Sequence, residues 1–178
     1  MSQLKVNSIV PTGGLPAGAT GGGIIQVVEN TKTDTTSSTT INSFQDFSGA
    51  NVTITPSSNS NKIFGIFAIS YGLATYHHVI SFRILRGSST VVSAVSDASG
   101  GAANFQTQTF GLRAMHDNNG GGFVTLTFTD APATTSATTY KLQYYAVQSG
   151  TYYLNRSGND DNSYGRGACT FTAMEISA

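Results

Sequence analysis

The sequence predicts an all-β domain, and three observations support this prediction. Short runs with an apolar residue at every second position recur from residue 24 to residue 178. No stretch sustains the i, i+3, i+4, i+7 spacing of an amphipathic helix. Clusters of turn-forming residues separate the runs, and the chain has 20 glycines in 178 residues. Eight or more such strands favour an antiparallel two-sheet, jelly-roll-like sandwich. An immunoglobulin-like sandwich is the second choice, because the tryptophan and paired cysteines that would support it are absent.

The first 23 residues differ from the rest and predict an extended N-terminal arm in front of the domain 24–178. Leu4, Val6 and Ser8 alternate with polar residues as in a short strand. Prolines at 11 and 16 and the glycines between 13 and 23 then prevent any regular element. The glycine spacing is irregular, which excludes a collagen helix.

The predicted strands of the domain are rich in β-branched and aromatic residues. The clearest runs are residues 24–28, 51–55, 62–70, 79–85, 105–113, 123–129, 140–147 and 168–176, and 31–36, 43–47 and 91–95 are weaker. Two runs, 79–85 and 123–129, alternate clearly between apolar and other residues. The alternation places Ile80, Phe82, Ile84, Val124, Leu126 and Phe128 in the core, and Ser81, Arg83, Leu85, Thr125 and Thr127 on a face exposed to water.

The run 62–70 is apolar on both faces. One side would carry Phe64, Ile66 and Ala68, and the other Ile63, Phe67 and Ile69. Such a strand is either central or packed against another subunit, and the pair Tyr144 and Tyr145 raises the same question. We predict an oligomer interface formed by Ile63, Phe67, Ile69 and Tyr145.

Charge and cysteine content limit the classes of partner. The net charge is zero and only 10% of residues are charged, against about 25% in an average domain. We therefore expect no nucleic-acid partner, since phosphate binding needs clustered Lys and Arg. Weak charge repulsion favours a symmetric oligomer. No segment has the pattern of a signal peptide or a membrane span, so we expect a soluble chain without membrane insertion. The single Cys169 lies in an apolar run and is expected to be a buried, inert thiol.

No motif predicts catalysis, a metal or a cofactor, so we expect a protein that is not an enzyme. The sequence has no G-x-S-x-G, H-E-x-x-H or Walker loop. His77 and His78 would point to opposite faces of a strand, so only copies related by a threefold axis could share a metal through them. The oxygen-rich loop 155–164 lacks EF-hand spacing, and we expect a solvated turn there rather than a Ca²⁺ site.

Tyrosines near predicted loops suggest a shallow glycan-binding site, because aromatic faces stack on sugar rings. The loop tyrosines are Tyr71, Tyr76, Tyr152, Tyr153 and Tyr164. The candidate glycan contacts are Tyr152, Tyr153, Asn155, Asp160 and Tyr164. The alternative is that these tyrosines cap the sandwich or fill a subunit interface.

Several segments together resemble a group of phage tail-fibre-like and virion surface proteins. These are LKVNSIVPTGGLPAGATGGGIIQVV, VTITPSSNSNKI, FRILRGSS, DAPATTSATTYKLQYYAV and CTFTAMEIS. The last is also similar to the final core strand of trimeric jelly rolls of the C1q and tumour-necrosis-factor type. The resemblance covers most of the chain and rests on the order and spacing of the segments.

The resemblance implies a non-catalytic bacteriophage structural protein, assembled in the host cytoplasm and carried on the virion. It implies a homotrimer whose arm binds other virion proteins of the capsid or tail, with Leu4, Val6 and Ile9 as the attachment residues, and whose β-domain faces outward. This chain has no repetitive shaft, which favours a short tail fibre, a knob or a head decoration protein over a long fibre. The alternative function is a lectin-like module that binds a host surface glycan.

Overall fold

The computed structural model describes residues 23–75, 78–94, 112–113, 121–160 and 165–178. Eleven strands lie in this part of the chain. They are β1 (Ile24–Lys32), β2 (Thr36–Ser38), β3 (Gln45–Ile54), β4 (Lys62–Leu73), β5 (Val79–Arg86), β6 (Thr90–Val91), β7 (Leu112–Arg113), β8 (Gly121–Asp130), β9 (Thr138–Ala146), β10 (Tyr152–Leu154) and β11 (Cys169–Ile176).

The strands form two antiparallel sheets. In the first sheet, β8 pairs along one edge of β4, while β11 and then β10 share its other edge; β1 pairs with β11 and β2 with β10. The second sheet has the order β3, β9, β5, with β6 and β7 both on β5. β3 and β5 belong to the second sheet and β4 to the first, so the chain crosses between the sheets twice in this stretch. The core is therefore enclosed by strands that are distant in sequence. The predicted all-β, jelly-roll-like sandwich is confirmed.

The core lies between the inner faces of the two sheets. Ile80, Phe82 and Ile84 of β5 are completely buried, as the alternation predicts. Phe67 packs edge to face against Phe128 and Phe171, with ring centroids 5.9 and 4.9 Å apart. Full burial of a side chain of this size stabilises the fold by about 1.5–3 kcal/mol.

The predicted oligomer interface is wrong for the three residues of β4. Ile63, Phe67 and Ile69 have 0% exposure in the single chain, because they lie on the inner face of the first sheet, beside Leu126, Phe128 and Phe171 of the neighbouring strands β8 and β11. The opposite side of β4, with Phe64, Ile66 and Ala68, is the partly exposed one. The period of two was read correctly, but a strand that is apolar on both sides does not show which side is inner.

The outer face of the second sheet is also less exposed than predicted. Tyr145 is 8% exposed and packs on Phe44, with ring centroids 5.1 Å apart, so it offers a partner little area. Ser81 and Leu85, predicted to be wet, are 0% and 1% exposed. The Arg83 guanidinium lies 3.4 Å from the centre of the Phe44 ring on the same face.

A bulge explains why two predicted strands form one. The runs 43–47 and 51–55 are parts of β3, whose register with β9 shifts between Asp46 and Asn51. Gly49 lies in this bulge with φ 75°, a conformation that favours glycine. The amide of Asn30 on β1 donates to the carbonyl oxygens of Gly49 and Asn51 at 3.2 and 2.6 Å, so the bulged backbone keeps hydrogen-bond partners.

Three differences concern the other predicted elements. The short strands β2 and β10 were not predicted, because three-residue segments carry too little periodicity. The predicted strand 105–113 lies outside the described residues except for β7. The arm, with Leu4, Val6 and Ile9, also lies outside them.

A charged cluster connects the two sheets at one edge of the sandwich. Arg86 on β5 donates to both carboxylate oxygens of Asp130 on β8, at 3.0 and 2.8 Å. The hydroxyl of Tyr140 on β9 donates to the same carboxylate at 2.7 Å. Burial, followed by the hydrogen bond to Asp130, raises the pKa of Tyr140 far above its usual value, so this hydroxyl remains a donor.

Glu175 closes the end of the sandwich where β11 ends. One carboxylate oxygen accepts hydrogen bonds from the backbone amide and hydroxyl of Ser57 at 2.7 and 2.8 Å and from the Asn61 amide at 2.7 Å. Burial would raise the pKa of Glu175, but the bonds from Asn61 and Ser57 outweigh it, so the pKa is lowered. The carboxylate therefore fixes the loop between β3 and β4.

Replacing Glu175 with Gln should lower the melting temperature at pH 7 by about 3–6 °C, because three donors lose a charged acceptor. A lowered folded-state pKa means that this stabilisation is present above the usual pKa of a glutamate and is lost as the pH falls through the folded-state value. Thermal unfolding of the two proteins should therefore converge in acid. The control is Glu29→Gln on the exposed side of β1. Equal shifts for both variants at pH 7 would contradict this role.

Candidate functional site

A pocket of about 420 Å³ lies at the end of the first sheet opposite to Glu175. It is formed where β4 nears its end, where β8 begins and where the loop between β10 and β11 folds over both. Its lining consists of residues 70–71, 121–123, 156–157 and 165–167. Three chain segments from distant parts of the sequence thus meet at one site.

The floor of the pocket depends on close contact between β4 and β8. Tyr71 pairs with Gly122 and Gly72 with Gly121. A Cβ atom at Gly121 would lie 2.6 Å from the Tyr71 carbonyl oxygen, so no larger residue fits there without movement of the backbone. The Tyr71 ring packs edge to face on Phe82 in the core, and burial raises the pKa of its hydroxyl. Tyr71 therefore presents a neutral hydroxyl at neutral pH.

Asn155 positions the loop that forms the wall. Its backbone amide donates to the Ser70 carbonyl at 3.0 Å, and its own carbonyl accepts from the Gly167 amide at 3.1 Å. Its side-chain amide donates to the carbonyl oxygens of Lys32 and Asp34 at 2.8 and 2.9 Å. Its φ is 63°, a left-handed conformation that asparagine tolerates better than most residues. One buried side chain thus holds the end of β1, β4 and both ends of the loop together.

Cys169 completes this network. Its thiol donates to the Asn155 side-chain oxygen at 3.0 Å, and its sulfur accepts from the Ser70 amide at 3.3 Å. Burial raises the pKa of the thiol, so the reactive thiolate is disfavoured. The expected buried, inert thiol is confirmed.

Two arginines and one aspartate form the charged part of the rim. Arg166 donates to both oxygens of Asp160 at 2.8 and 2.7 Å, and Arg156 lies 3.4 Å from the same carboxylate. These hydrogen bonds and charges lower the pKa of Asp160, with the bond from Arg166 contributing most. The group carries one net positive charge. The Arg166 side chain is 60% exposed.

Phe123 supplies the aromatic part of the rim. It is 76% exposed at the start of β8, opposite Ser70 of β4. The side chain lies on the outer face of the sheet, on the opposite side from the core residues Leu126 and Phe128. An exposed phenylalanine beside a pocket offers an apolar surface to a ligand.

The predicted glycan contacts do not form one exposed set. The prediction is wrong for Tyr152, which has 0% exposure, stacks on Tyr144 and donates its hydroxyl to the Gln148 carbonyl at 2.6 Å. It is also wrong for Asn155, which has 0% exposure and spends its side chain on backbone carbonyls. Tyr153 is partly exposed beneath the Arg156 guanidinium, 4.3 Å away, and Asp160 lies in the charged rim. Tyr164 lies outside the described residues.

Sequence reasoning missed Phe123, Arg156 and Arg166. A signal existed for Phe123, since it is apolar but out of phase with the core positions Leu126 and Phe128. No local pattern marks the two arginines, because their meeting depends on how the loop folds. In the described part of the oxygen-rich loop, residues 155–160, Asp160 forms ion pairs with both arginines.

Neither a metal-ligand cluster nor a membrane-spanning helix is found among the described residues. Within the described ranges, no three His, Cys, Asp or Glu residues lie together as they would to hold a metal ion. The same part of the chain contains no helix with the length and apolar character needed to cross a bilayer.

Comparison with known proteins gives little. No protein-family description matches the chain. No curated protein matches it either. Among solved structures, the VP2 subviral particle of infectious bursal disease virus is similar over 85% of this chain and 38% of that one, with 12% identity and a TM-score of 0.30. A likeness at that TM-score does not support a conclusion about function.

Replacing Asn155 with Asp should destabilise the domain by about 3 kcal/mol or more, because a carboxylate would face two backbone carbonyls in place of a donor. Asn155→Gly is the matched variant, since it keeps the left-handed backbone but removes the side chain. We expect the order wild type, Asn155→Gly, Asn155→Asp in the free energy of unfolding measured with urea. An unchanged free energy of unfolding in Asn155→Gly would show that the side-chain amide is unimportant.

Proposed function

We propose that the chain is a non-catalytic surface protein of a bacteriophage particle, built as a homotrimer and attached through its N-terminal arm to other virion proteins. A short tail fibre, a knob and a head decoration protein all fit this role. The number of subunits and the phage setting come from the resemblance of the sequence. The observation that carries the proposal is the composition of one face of the first sheet.

This outer face consists of the side chains of β1, β11, β4 and β8 that point away from the second sheet. Strand pairing arranges them in three rows: Val27, Met174, Phe64 and Thr129; Glu29, Thr172, Ile66 and Thr127; Thr31, Thr170, Ala68 and Thr125. Only Glu29 among these twelve is charged. The three rows therefore form a continuous surface of threonine and apolar side chains, which the exposed Lys62 borders at the start of β4.

Apolar exposure on this surface is highest at its β1 edge, while Phe64, Ile66, Ala68 and Met174 are partly exposed. Ile24, Ile25 and Val27 at the start of β1 are 59%, 53% and 58% exposed. Large contiguous apolar surfaces on soluble proteins mark interaction sites more often than solvent-facing ones. Contact with a second copy would cover them and would bury few charges, which favours association. The outer face, and not the predicted set on β4, is thus the surface we assign to assembly.

The place where the arm joins the domain supports attachment. The Ser177 amide donates to the Gly23 carbonyl at 3.0 Å, so residue 23 is fixed beside the end of β11. Gly23 leads directly into the edge strand β1, whose first residues Ile24 and Ile25 are exposed. The arm therefore starts at the Glu175 end of the sandwich, away from the pocket.

Val27→Asp should break the assembly without unfolding the domain. Val27 is already 58% exposed, so the single chain tolerates the charge, whereas a dry contact between subunits would have to bury it unpaired. We expect the wild type at three chain masses in gel filtration with light scattering and the variant at one. Thr53→Asp, exposed on the second sheet, is the control and should remain trimeric. A monomeric wild type at high micromolar concentration would overturn the assembly proposal.

Removing residues 1–22 tests attachment. The described domain begins at residue 23, and its core contains only later residues, so we expect an unchanged melting temperature. The truncated protein should fail to co-sediment with particles that lack the wild-type protein. Full retention of the truncated protein would show that the arm is not the attachment segment.

A further inference from the structure

We propose that the pocket beside Tyr71, Phe123 and Arg166 binds a saccharide unit that carries a carboxylate. This inference goes beyond the proposed function, since a structural surface protein does not need a ligand. It also replaces the predicted glycan contacts with a different set of residues.

The exposed aromatic ring of Phe123 indicates that the ligand contains a sugar ring. Phe123 is 76% exposed and stands on the rim of a concave site of about 420 Å³, which is the volume of a small-ligand pocket. The C–H face of a sugar ring packs on such an aromatic surface, while its hydroxyls remain available to polar groups. The Tyr71 ring lies on the core side of β4, opposite to the side that carries Phe123, so Tyr71 lines the site without its hydroxyl being counted as a contact.

The charged rim of the pocket indicates that the ligand is an anion. Arg156 and Arg166 share one carboxylate, so one positive charge is uncompensated within the group. Arg166 uses two of its five N–H groups on Asp160 and is 60% exposed, so it can still donate to a second anion. A guanidinium matches a carboxylate in geometry as well as charge. An anionic ligand is therefore favoured over a neutral or cationic one.

One polar atom of the lining residues lacks a hydrogen-bond partner. The Ser157 hydroxyl is buried and has no partner among the described residues. Such a group is costly to leave unsatisfied. Because the hydroxyl has almost no accessible surface, a ligand would bond to it only after rotation of the Ser157 side chain. At Gly165, also in the lining, a Cβ atom would meet no atom within 4 Å, so the wall is open there.

The location of the pocket suits a ligand from outside the particle. The arm joins the domain where Ile24 pairs with Ile176, whereas the pocket lies where β4 approaches its end and β11 begins. These are opposite ends of the sandwich. A domain attached through its arm would direct the pocket away from the attachment point.

The test uses the full chain and two probes, the tetramers of galacturonic acid and of mannuronic acid, each compared with its methyl ester. Binding is measured by saturation-transfer NMR titration. We expect at least one acid to bind about tenfold more tightly than its ester, since the ester lacks the charge that Arg166 recognises. Equal affinity for acid and ester, or no binding of either acid at millimolar concentration, would overturn the proposal.

Three substitutions separate the two parts of the site. Arg166→Gln should weaken binding of the acid about tenfold and reduce the difference in affinity between acid and ester. Phe123→Ser should weaken acid and ester by the same factor, about three- to tenfold. Asp160→Asn removes the carboxylate that competes for Arg166 and should therefore strengthen binding of the acid. Lys62→Gln, which removes a charge at the far end of β4, is the control and should change nothing.

The same samples are examined by gel filtration and by melting temperature. A trimer that binds no acid would overturn the pocket assignment and leave the assembly proposal standing. A monomer that binds the acid would do the reverse. Indistinguishable affinities for Arg166→Gln and Lys62→Gln would exclude Arg166 as the anion contact.

Discussion

The pocket and the end of the sandwich around it depend on the hydrogen bonds of Asn155. Its side chain and backbone bind the end of β1, the β4 strand and the loop before β11 through five contacts of 2.8 to 3.1 Å. The bond to the Lys32 carbonyl is buried, and leaving such a group unpaired costs about 1–3 kcal/mol. A residue with both a donor and an acceptor, and with tolerance for positive φ, is needed at this position, which restricts the choice to asparagine.

In the proposed arrangement, three parts of the sandwich have different roles. The arm would join at one end, the pocket lies at the other, and the three rows of the outer face lie between them. Assembly through these rows would leave Arg166 accessible, because the rows lie across the middle of β1, β11, β4 and β8. Phe123 lies on the same face beyond Thr125, at the border of such a contact, and Ile24 and Ile25 border both the contact and the arm.

The fold could be predicted because each strand has a period of two and few helical alternatives exist. Alternation placed Ile80, Phe82 and Ile84 correctly, and Phe123 could have been found as an apolar residue out of phase. The inner side of β4 could not be predicted, because Ile63 and Phe64 are equally apolar and only the pairing with β8 and β11 decides between them. Tyr152 and Asn155 were misplaced for a related reason: polar side chains near a loop are buried when backbone groups nearby need partners.

Several of the few charged residues form ion pairs between the sheets, between neighbouring strands or at the rim of the pocket. Arg86 and Asp130 connect the sheets, Lys141 and Asp46 connect β9 to β3, and Arg166 and Asp160 fix the rim of the pocket. Charges paired in this way contribute little repulsion between molecules, since Arg86 and Lys141 each have a carboxylate as a near neighbour and only the group around Asp160 keeps a net charge. The outer face, with Glu29 as the single charge in its rows, then has no electrostatic barrier to a second copy. Threonine rather than lysine or glutamate covers its polar positions, and threonine is far less costly to bury in a contact than an ionised side chain. The outer face of a sheet that assembles must be soluble while the chain folds and must be buried afterwards. A composition poor in charge and rich in threonine meets both requirements.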